Sequence, residues 1–217
     1  MIETVKERIK EHIVLPAIHA RTSKQVIENL KIVEEADGFF LVNNKISSPE
    51  LLNIYRDIQK FDSLFHINDL VSPDQTFLDT AECRTDIWVD NPRIQAVNGI
   101  DETDVIEQAK QTVNRKLYFV AFKYQKAIPE KELPHAIDQA KLHMDVLTTS
   151  GSATNAANID EIKKFHAHAF PIALASGITP DNISYAPYID VSIVATISQD
   201  FFNLDRNKLK KLIRRCK

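Results

Sequence analysis

Two charged residues stand at the tips of runs that are otherwise built for burial. Asp90 ends Asp86-Ile87-Trp88-Val89, and Lys123 follows Leu117-Tyr118-Phe119-Val120-Ala121-Phe122. An aspartate and a lysine on adjacent strand ends form a partly desolvated pair, in which one group abstracts a proton and the other steadies the developing oxyanion. Lys123 is equally suited to a Schiff base with a carbonyl substrate. The same two charges would also serve merely to tie neighbouring strand ends together.

Glycine is scarce. There are four, Gly38, Gly99, Gly151 and Gly177, where average usage would give about fifteen. Two of them follow apolar runs, in Thr149-Ser150-Gly151-Ser152-Ala153-Thr154 and Ala175-Ser176-Gly177-Ile178-Thr179. Backbone approaches a phosphate closely only where a side chain is missing, and N–H groups near a helix start supply the positive end. The hydroxyls of Ser152, Thr154, Ser176 and Thr196 would complete such a cradle, although tight turns alone would also call for glycine. Polar residues end the earlier runs too: His19, Asn43-Asn44-Lys45, Asn68-Asp69 and Asn91.

These tips need a frame. Eight short apolar runs alternate with amphipathic stretches: Ile13–Ile18, Phe39–Val42, Leu64–Ile67, Asp86–Val89, Leu117–Phe122, Met144–Leu147, Pro171–Ala175 and Val191–Ala195. Helices are expected between them, starting at Thr22 or Ser23, at Ser48-Pro49-Glu50 with Ser48 as cap, at Ser72-Pro73-Asp74, around Asp101–Arg115, near Pro129–His143, over Asn158–Ala169, after Thr179-Pro180-Asp181 and over Asp205–Arg215. Continuous apolar strands alternating with helices argue a parallel sheet covered by helices. Eight such units predict an α/β fold, a single (β/α)8 TIM barrel spanning 1–217, with a short extra N-terminal helix over Ile2–Glu11. In such a barrel all the tips open on one face, where the chemistry is kept. Residues at the opposite strand ends, Glu11-His12, Asp62-Ser63 and Arg84-Thr85, read as ordinary surface.

Composition excludes several classes. Lys+Arg 27 against Asp+Glu 30 leaves a net charge of −3, with no basic surplus for a nucleic-acid backbone. Cys83 and Cys216 are far apart and lack metal-ligand spacing, so neither a disulfide framework nor a zinc ribbon organises the fold. His166 and His168 fall on different helix faces and His19 is isolated, so no metal is predicted. There is no GxSxG, P-loop or GxGxxG. Ile13–Ile18 is about a third of a membrane span and is preceded by mixed charge, not a basic leader. The expectation is a soluble, cytoplasmic chain without nucleic-acid or membrane partners, with homo-oligomerisation left open.

The strings Ile87-Trp88-Val89-Asp90-Asn91, Asp145-Val146-Leu147-Thr148-Thr149-Ser150-Gly151 and Ala175-Ser176-Gly177-Ile178-Thr179-Pro180-Asp181-Asn182-Ile183 resemble the BtpA family of β/α barrels, over a match running from about His12 to the end. The resemblance implies a place among the ribulose-phosphate-binding barrels and a phosphate-type ligand. The family's namesake is linked to photosystem I biogenesis. The chain departs from the pattern of such barrels in having Ala195-Thr196 where strand eight usually ends in glycine, and one glycine in the loop after strand six.

Together these features point to a small phosphorylated sugar or ribosyl metabolite as ligand, and to an isomerase or lyase step by proton transfer. Asp90 is the expected general base and Lys123 its acid or electrostatic partner. His19, Asn43, Asn68, Asp69 and Asn91 would orient the substrate, and Gly151, Ser152, Ser176, Gly177 and Thr196 would hold phosphate. No cofactor is predicted. A phosphoribosyl-transferase-like or nucleotide-processing barrel, for which Mg2+ would be wanted, is the alternative enzyme. A metabolite sensor or assembly factor is the non-catalytic one.

Overall fold

The computed structural model describes residues 9, 11–61, 65–69, 86–89, 118–121, 134, 137–138, 141–142, 145–150, 159–168, 170–175, 177–195, 197–198 and 200–217. Eight strands are present: β1 (Ile13–His19), β2 (Phe39–Val42), β3 (Phe65–Asn68), β4 (Asp86–Val89), β5 (Tyr118–Ala121), β6 (Val146–Ser150), β7 (Ile172–Ala175) and β8 (Val191–Val194). Each pairs in parallel with the next, and β1 pairs with β8 through Ile13↔Val191 to Pro16↔Val194, closing the ring. Helices α1 (Ser23–Val33), α2 (Ser48–Ile58), α3 (Ile159–His166) and α4 (Arg206–Cys216) follow β1, β2, β6 and β8. Between β7 and β8 the connection is a 3-10 helix, Ile183–Tyr188. The helices expected after β3 and β4, and the extra N-terminal helix apart from Ile9 and Glu11, lie outside the described residues. So does most of the helix expected after β5.

The apolar residues divide as alternation on a closed sheet requires. Leu15, Ala17, Phe40, Val42, Trp88, Val146, Ala173, Ala175, Val191 and Ile193 form one buried cluster, the barrel interior. Their sequence neighbours Val14, Ile18, Leu41, Leu147, Leu174 and Val194 pack outward with helix residues such as Val26, Leu51, Ile162 and Leu209. Every residue of β2, β7 and β8 is buried. Inside, small and large side chains compensate. Ala17 lies opposite Phe40 in register, and Phe40 meets the Trp88 ring edge-on at 5.6 Å.

Backbone accounting explains the start of β1. Its ladder to β2 begins at Ala17↔Phe40, which leaves the N–H of Val14 without a strand partner. The Asp37 carboxylate accepts that N–H at 2.9 Å. Pro16 has no N–H to satisfy, so proline is tolerated here inside a closed sheet.

Caps set the helix starts. Thr22 Oγ1 accepts Gln25 N at 3.2 Å. At α2 the cap is Ser47, not the expected Ser48: Ser47 and Glu50 form a reciprocal capping box, and Pro49 sits at the second helical position. Ser48 instead is buried on the barrel side. Asp205 Oδ1 accepts the N–H groups of Asn207 and Lys208 at the head of α4. Among the described residues no helix is long and apolar enough to cross a membrane.

One polar residue of α1 ties distant chain together. Asn29 is 1% exposed. Its Oδ1 accepts Leu204 N at 2.8 Å, and its Nδ2 donates to Phe202 O at 3.0 Å and Gln25 O at 2.9 Å. Asn29→Ala would strand the buried Leu204 N–H and should destabilise by about 2 kcal/mol, on the order of 5 °C in melting temperature. Asn44→Ala, on an exposed bend, is the control and should melt like wild type.

Candidate functional site

The strands run parallel, so their carboxyl ends share one rim. The described part of that rim carries His19 from β1, Asn43 and Lys45 after β2, Asn68 and Asp69 at the end of β3, Ser150 at the end of β6, Gly177 after β7 and Ala195 after β8. Of the residues expected to act there, Asp90, Asn91, Lys123, Gly151, Ser152, Ser176 and Thr196 lie outside the described residues. Asn68 is placed by its backbone, opposite Val42 in register.

Asn43 and Asp69 meet directly. The Asn43 amide donates to Asp69 Oδ1 at 2.6 Å, with both residues buried. A neutral donor held against the carboxylate fixes its orientation and links the turns that follow β2 and β3. The expected substrate-orienting pair is therefore a preassembled unit, with Asn43 positioning Asp69.

His19 is half-buried and stacks on Phe201 at 4.1 Å between ring centroids, 26° from parallel. Burial pushes its pKa down to about 4, and Nδ1 has no hydrogen-bond partner among the described residues. At neutral pH the ring is uncharged, so it offers a hydrogen bond rather than a positive charge. Further inside, His66 is 5% exposed and its ring lies 4.9 Å from that of Phe40. Thr148, also buried, faces the interior from β6. Polar groups thus enter the barrel from the mouth side, above the apolar layer of Leu15, Val146 and Val191.

The turn after β7 is a network built around Asn182, which closes the Ser176-Gly177-Ile178-Thr179-Pro180-Asp181-Asn182 string. Gly177 is buried and takes φ 67, the left-handed region that favours glycine. Asn182 Nδ2 donates to Gly177 O at 2.6 Å, while its Oδ1 accepts Thr179 N at 2.7 Å and the Tyr185 hydroxyl at 2.8 Å. Thr179-Pro180-Asp181 was expected to cap a helix directly. The 3-10 helix begins only at Ile183, because Asn182 spends its side chain on closing the turn. Outside, Asp181 takes Lys211 at 2.9 Å and Arg215 at 3.2 Å from α4. After β8, Ala195 is partly buried against the interior cluster, and its carbonyl accepts Ser198 N and Oγ.

Sequence reasoning missed Phe201 and Phe202. The loop from 197 to 205 doubles back through a Ser198↔Leu204 bridge. Asp200 Oδ1 accepts Phe202 N and Asn203 N, both at 2.8 Å. Gln25 and Asn29 of α1 both donate to Phe202 O. The loop is thereby fixed over the end of β1. Two adjacent aromatics between Asp200 and Asn203 in a polar stretch were the available signal.

The opposite rim corrects one reading. His12 is not ordinary surface: its Nε2 lies 2.8 Å from Ser192 Oγ, and burial lowers its pKa. With Asp190 and Cys216 it borders a cavity of about 480 Å3 where the strands begin. Asp190 accepts Ile172 N at 2.8 Å, and burial pushes the Cys216 thiol up to about 11. Those polar groups are occupied in holding strands, and an un-ionised thiol is a poor nucleophile. Among the described residues no three His, Cys, Asp or Glu converge to hold a metal ion.

No protein-family model and no curated protein matches the chain. Solved structures do. Phosphoribosyl anthranilate isomerase from Thermococcus kodakaraensis superposes with a TM-score of 0.68 at 14% identity, over 95% of this chain and 99% of that one. (S)-3-O-geranylgeranylglyceryl phosphate synthase from Thermoplasma acidophilum, solved with sn-glycerol-1-phosphate, gives 0.67 at 13%, covering 99% and 98%. 3-Hexulose-6-phosphate synthase from Salmonella typhimurium gives 0.63 at 14%, covering 94% and 98%. At these identities the likeness establishes the fold alone: a parallel α/β architecture shared with TIM barrels.

The His19 environment has a pH signature. Its folded pKa, about 4, lies below the unfolded value of 6.5. Between those values the unfolded chain binds the extra proton, so stability is intact above pH 6.5 and falls as pH drops toward 4. His19→Gln should lose less stability than wild type between pH 7 and pH 4.5 in urea denaturation. Parallel losses would show that the ring protonates freely in the folded state.

Proposed function

We propose that this chain is a complete (β/α)8 barrel enzyme acting on a small phosphorylated sugar or ribosyl metabolite at the carboxyl-end rim. The observation that carries the reading is the turn after β7. A buried, left-handed Gly177 is held by Asn182 at the rim, in the last loops where barrels of this type hold phosphate. It is supported by neighbours named for phosphorylated substrates, one of them bound to sn-glycerol-1-phosphate. The likeness of its strings to the BtpA family belongs to the same proposal.

In this reading Gly177, with Gly151, Ser152, Ser176 and Thr196, receives the phosphate through backbone N–H groups and hydroxyls. His19, Asn68, Asn91 and the Asn43–Asp69 unit orient the sugar. Asp90 removes a proton beside the carbonyl, and Lys123 donates to or stabilises the oxygen that gains charge. The chemistry needs no cofactor. A neutral His19 suits this task, because it donates to or accepts from a hydroxyl without competing for the phosphate.

Thermal-shift measurements with ribose 5-phosphate and ribulose 5-phosphate test the binding half. At about 100 times its dissociation constant a ligand adds roughly 2.7 kcal/mol, several degrees for a chain this size. Gly177→Asn keeps the left-handed backbone accessible while placing a side chain in the cradle. It should therefore melt close to wild type without ligand and lose the ligand shift. A shift that survives this substitution would remove the cradle from the β7 turn.

The chemical half is tested separately. Asp90→Asn should lower turnover by about 100-fold or more while leaving the ligand shift intact. Turnover unchanged in Asp90→Asn and in Lys123→Ala would overturn the acid–base assignment. Ligand binding without turnover of any candidate would favour a metabolite sensor.

A further inference from the structure

We infer that the rim carries a second anion site, formed by Arg21 and Lys45 on the paired rings of Phe201 and Phe202. The substrate is accordingly a phosphorylated metabolite with another anionic group at the end remote from its phosphate. This rests on the phosphate reading above and adds the other end of the ligand.

The two cations come from adjacent strand ends, Arg21 two residues after β1 and Lys45 three after β2. Lys45 Nζ lies 5.5 Å from the Phe201 ring and 5.9 Å from that of Phe202, and the Arg21 guanidinium lies 5.5 Å from Phe202. Elsewhere Lys210, Lys211, Arg215 and Lys217 each meet a carboxylate. Among the described residues Arg21 and Lys45 meet none. A cation resting on an aromatic ring is positioned without being neutralised, so its charge and N–H donors remain available to an anion.

The rings are themselves fixed. Phe202 is held through its carbonyl by Gln25 and Asn29 and through its N–H by Asp200, and Phe201 is stacked on His19. Phe201 nevertheless remains 43% exposed, so part of the ring and the cation above it face outward from the loop. Round the ring, β2 and β7 are three strand steps apart, on the order of 15 Å with strand tilt. A pentose or hexose chain with an anion at each end, met part-way by the long lysine and arginine side chains, would bridge that span.

Calorimetric titration of matched ligands tests this. 6-Phosphogluconate is compared with glucitol 6-phosphate, which replaces the carboxylate by an alcohol, and ribulose 1,5-bisphosphate with ribulose 5-phosphate. The doubly anionic member of at least one pair should bind about tenfold more tightly, and the pair that responds identifies carboxylate or phosphate as the second group. In the Arg21→Gln/Lys45→Gln double variant that advantage should fall below about twofold, with the single-anion ligand binding as in wild type. Both positions are exposed, and an unchanged melting temperature will confirm that the variant is folded. Equal affinities within both pairs, or an advantage that persists in the variant, would overturn the second site while leaving the phosphate cradle standing. Failure of all four ligands to bind would overturn both.

Discussion

Every strand pairing in this chain is parallel, and the rest of the structure follows from that constraint. Parallel neighbours cannot be joined by tight hairpins, so each connection must cross the outside of the sheet and return to the same end. Among the described residues the crossings lay α1, α2, α3 and α4 against the outside of the sheet. They also gather the described residues that follow the strands on a single rim. His19, Asn43, Asp69 and Gly177 are separated by up to 158 positions in the chain, yet they share that rim because the hydrogen-bonding direction leaves them nowhere else to go. The Asn43–Asp69 bond is the local result: two residues from consecutive loops, adjacent because β2 and β3 are.

Position on the rim is refined by side chains that do no chemistry. Asn29 and Gln25 on α1 hold the loop after β8, and Asn182 holds the turn after β7. Each is a primary amide, able to donate and accept at once, and each satisfies main-chain groups that a loop would otherwise leave unpaired. Buried amides of this kind stiffen a loop without adding charge. Around the β7 turn and the aromatic pair, such amides fix the backbone while the charges nearby are supplied by other residues, Asp181 and Asp200 among them.

The strands were legible in the sequence because all-buried parallel strands read as unbroken apolar runs, as in Phe39–Val42 and Ile172–Ala175. The starts of α1, α2 and α4 were legible to within a residue, the error at Ser47 arising because two consecutive serines precede the proline and only the box with Glu50 distinguishes them. The rim residues His19, Asn43, Asp69 and Gly177 could be anticipated from their place after a run. Phe201 and the His12–Ser192 contact could not. Their roles depend on partners up to 182 residues away, Phe201 on His19 and His12 on Ser192, and no local spacing encodes those pairings.

The pairing of Ile13 with Val191 also has a temporal meaning. The strand β1 leaves the ribosome 178 residues before its final neighbour, counted from Ile13 to Val191. Until that neighbour emerges, the free side of β1 is an open template of apolar sequence, and loop closure over most of the chain must precede its reward. Such long-range pairing makes folding slow and leaves the nascent chain exposed to association with other copies. A chain halted before position 191 would be not a smaller barrel but a sheet with two bare edges, and protection by a chaperone during synthesis would matter more for this protein than for a helical bundle of the same length.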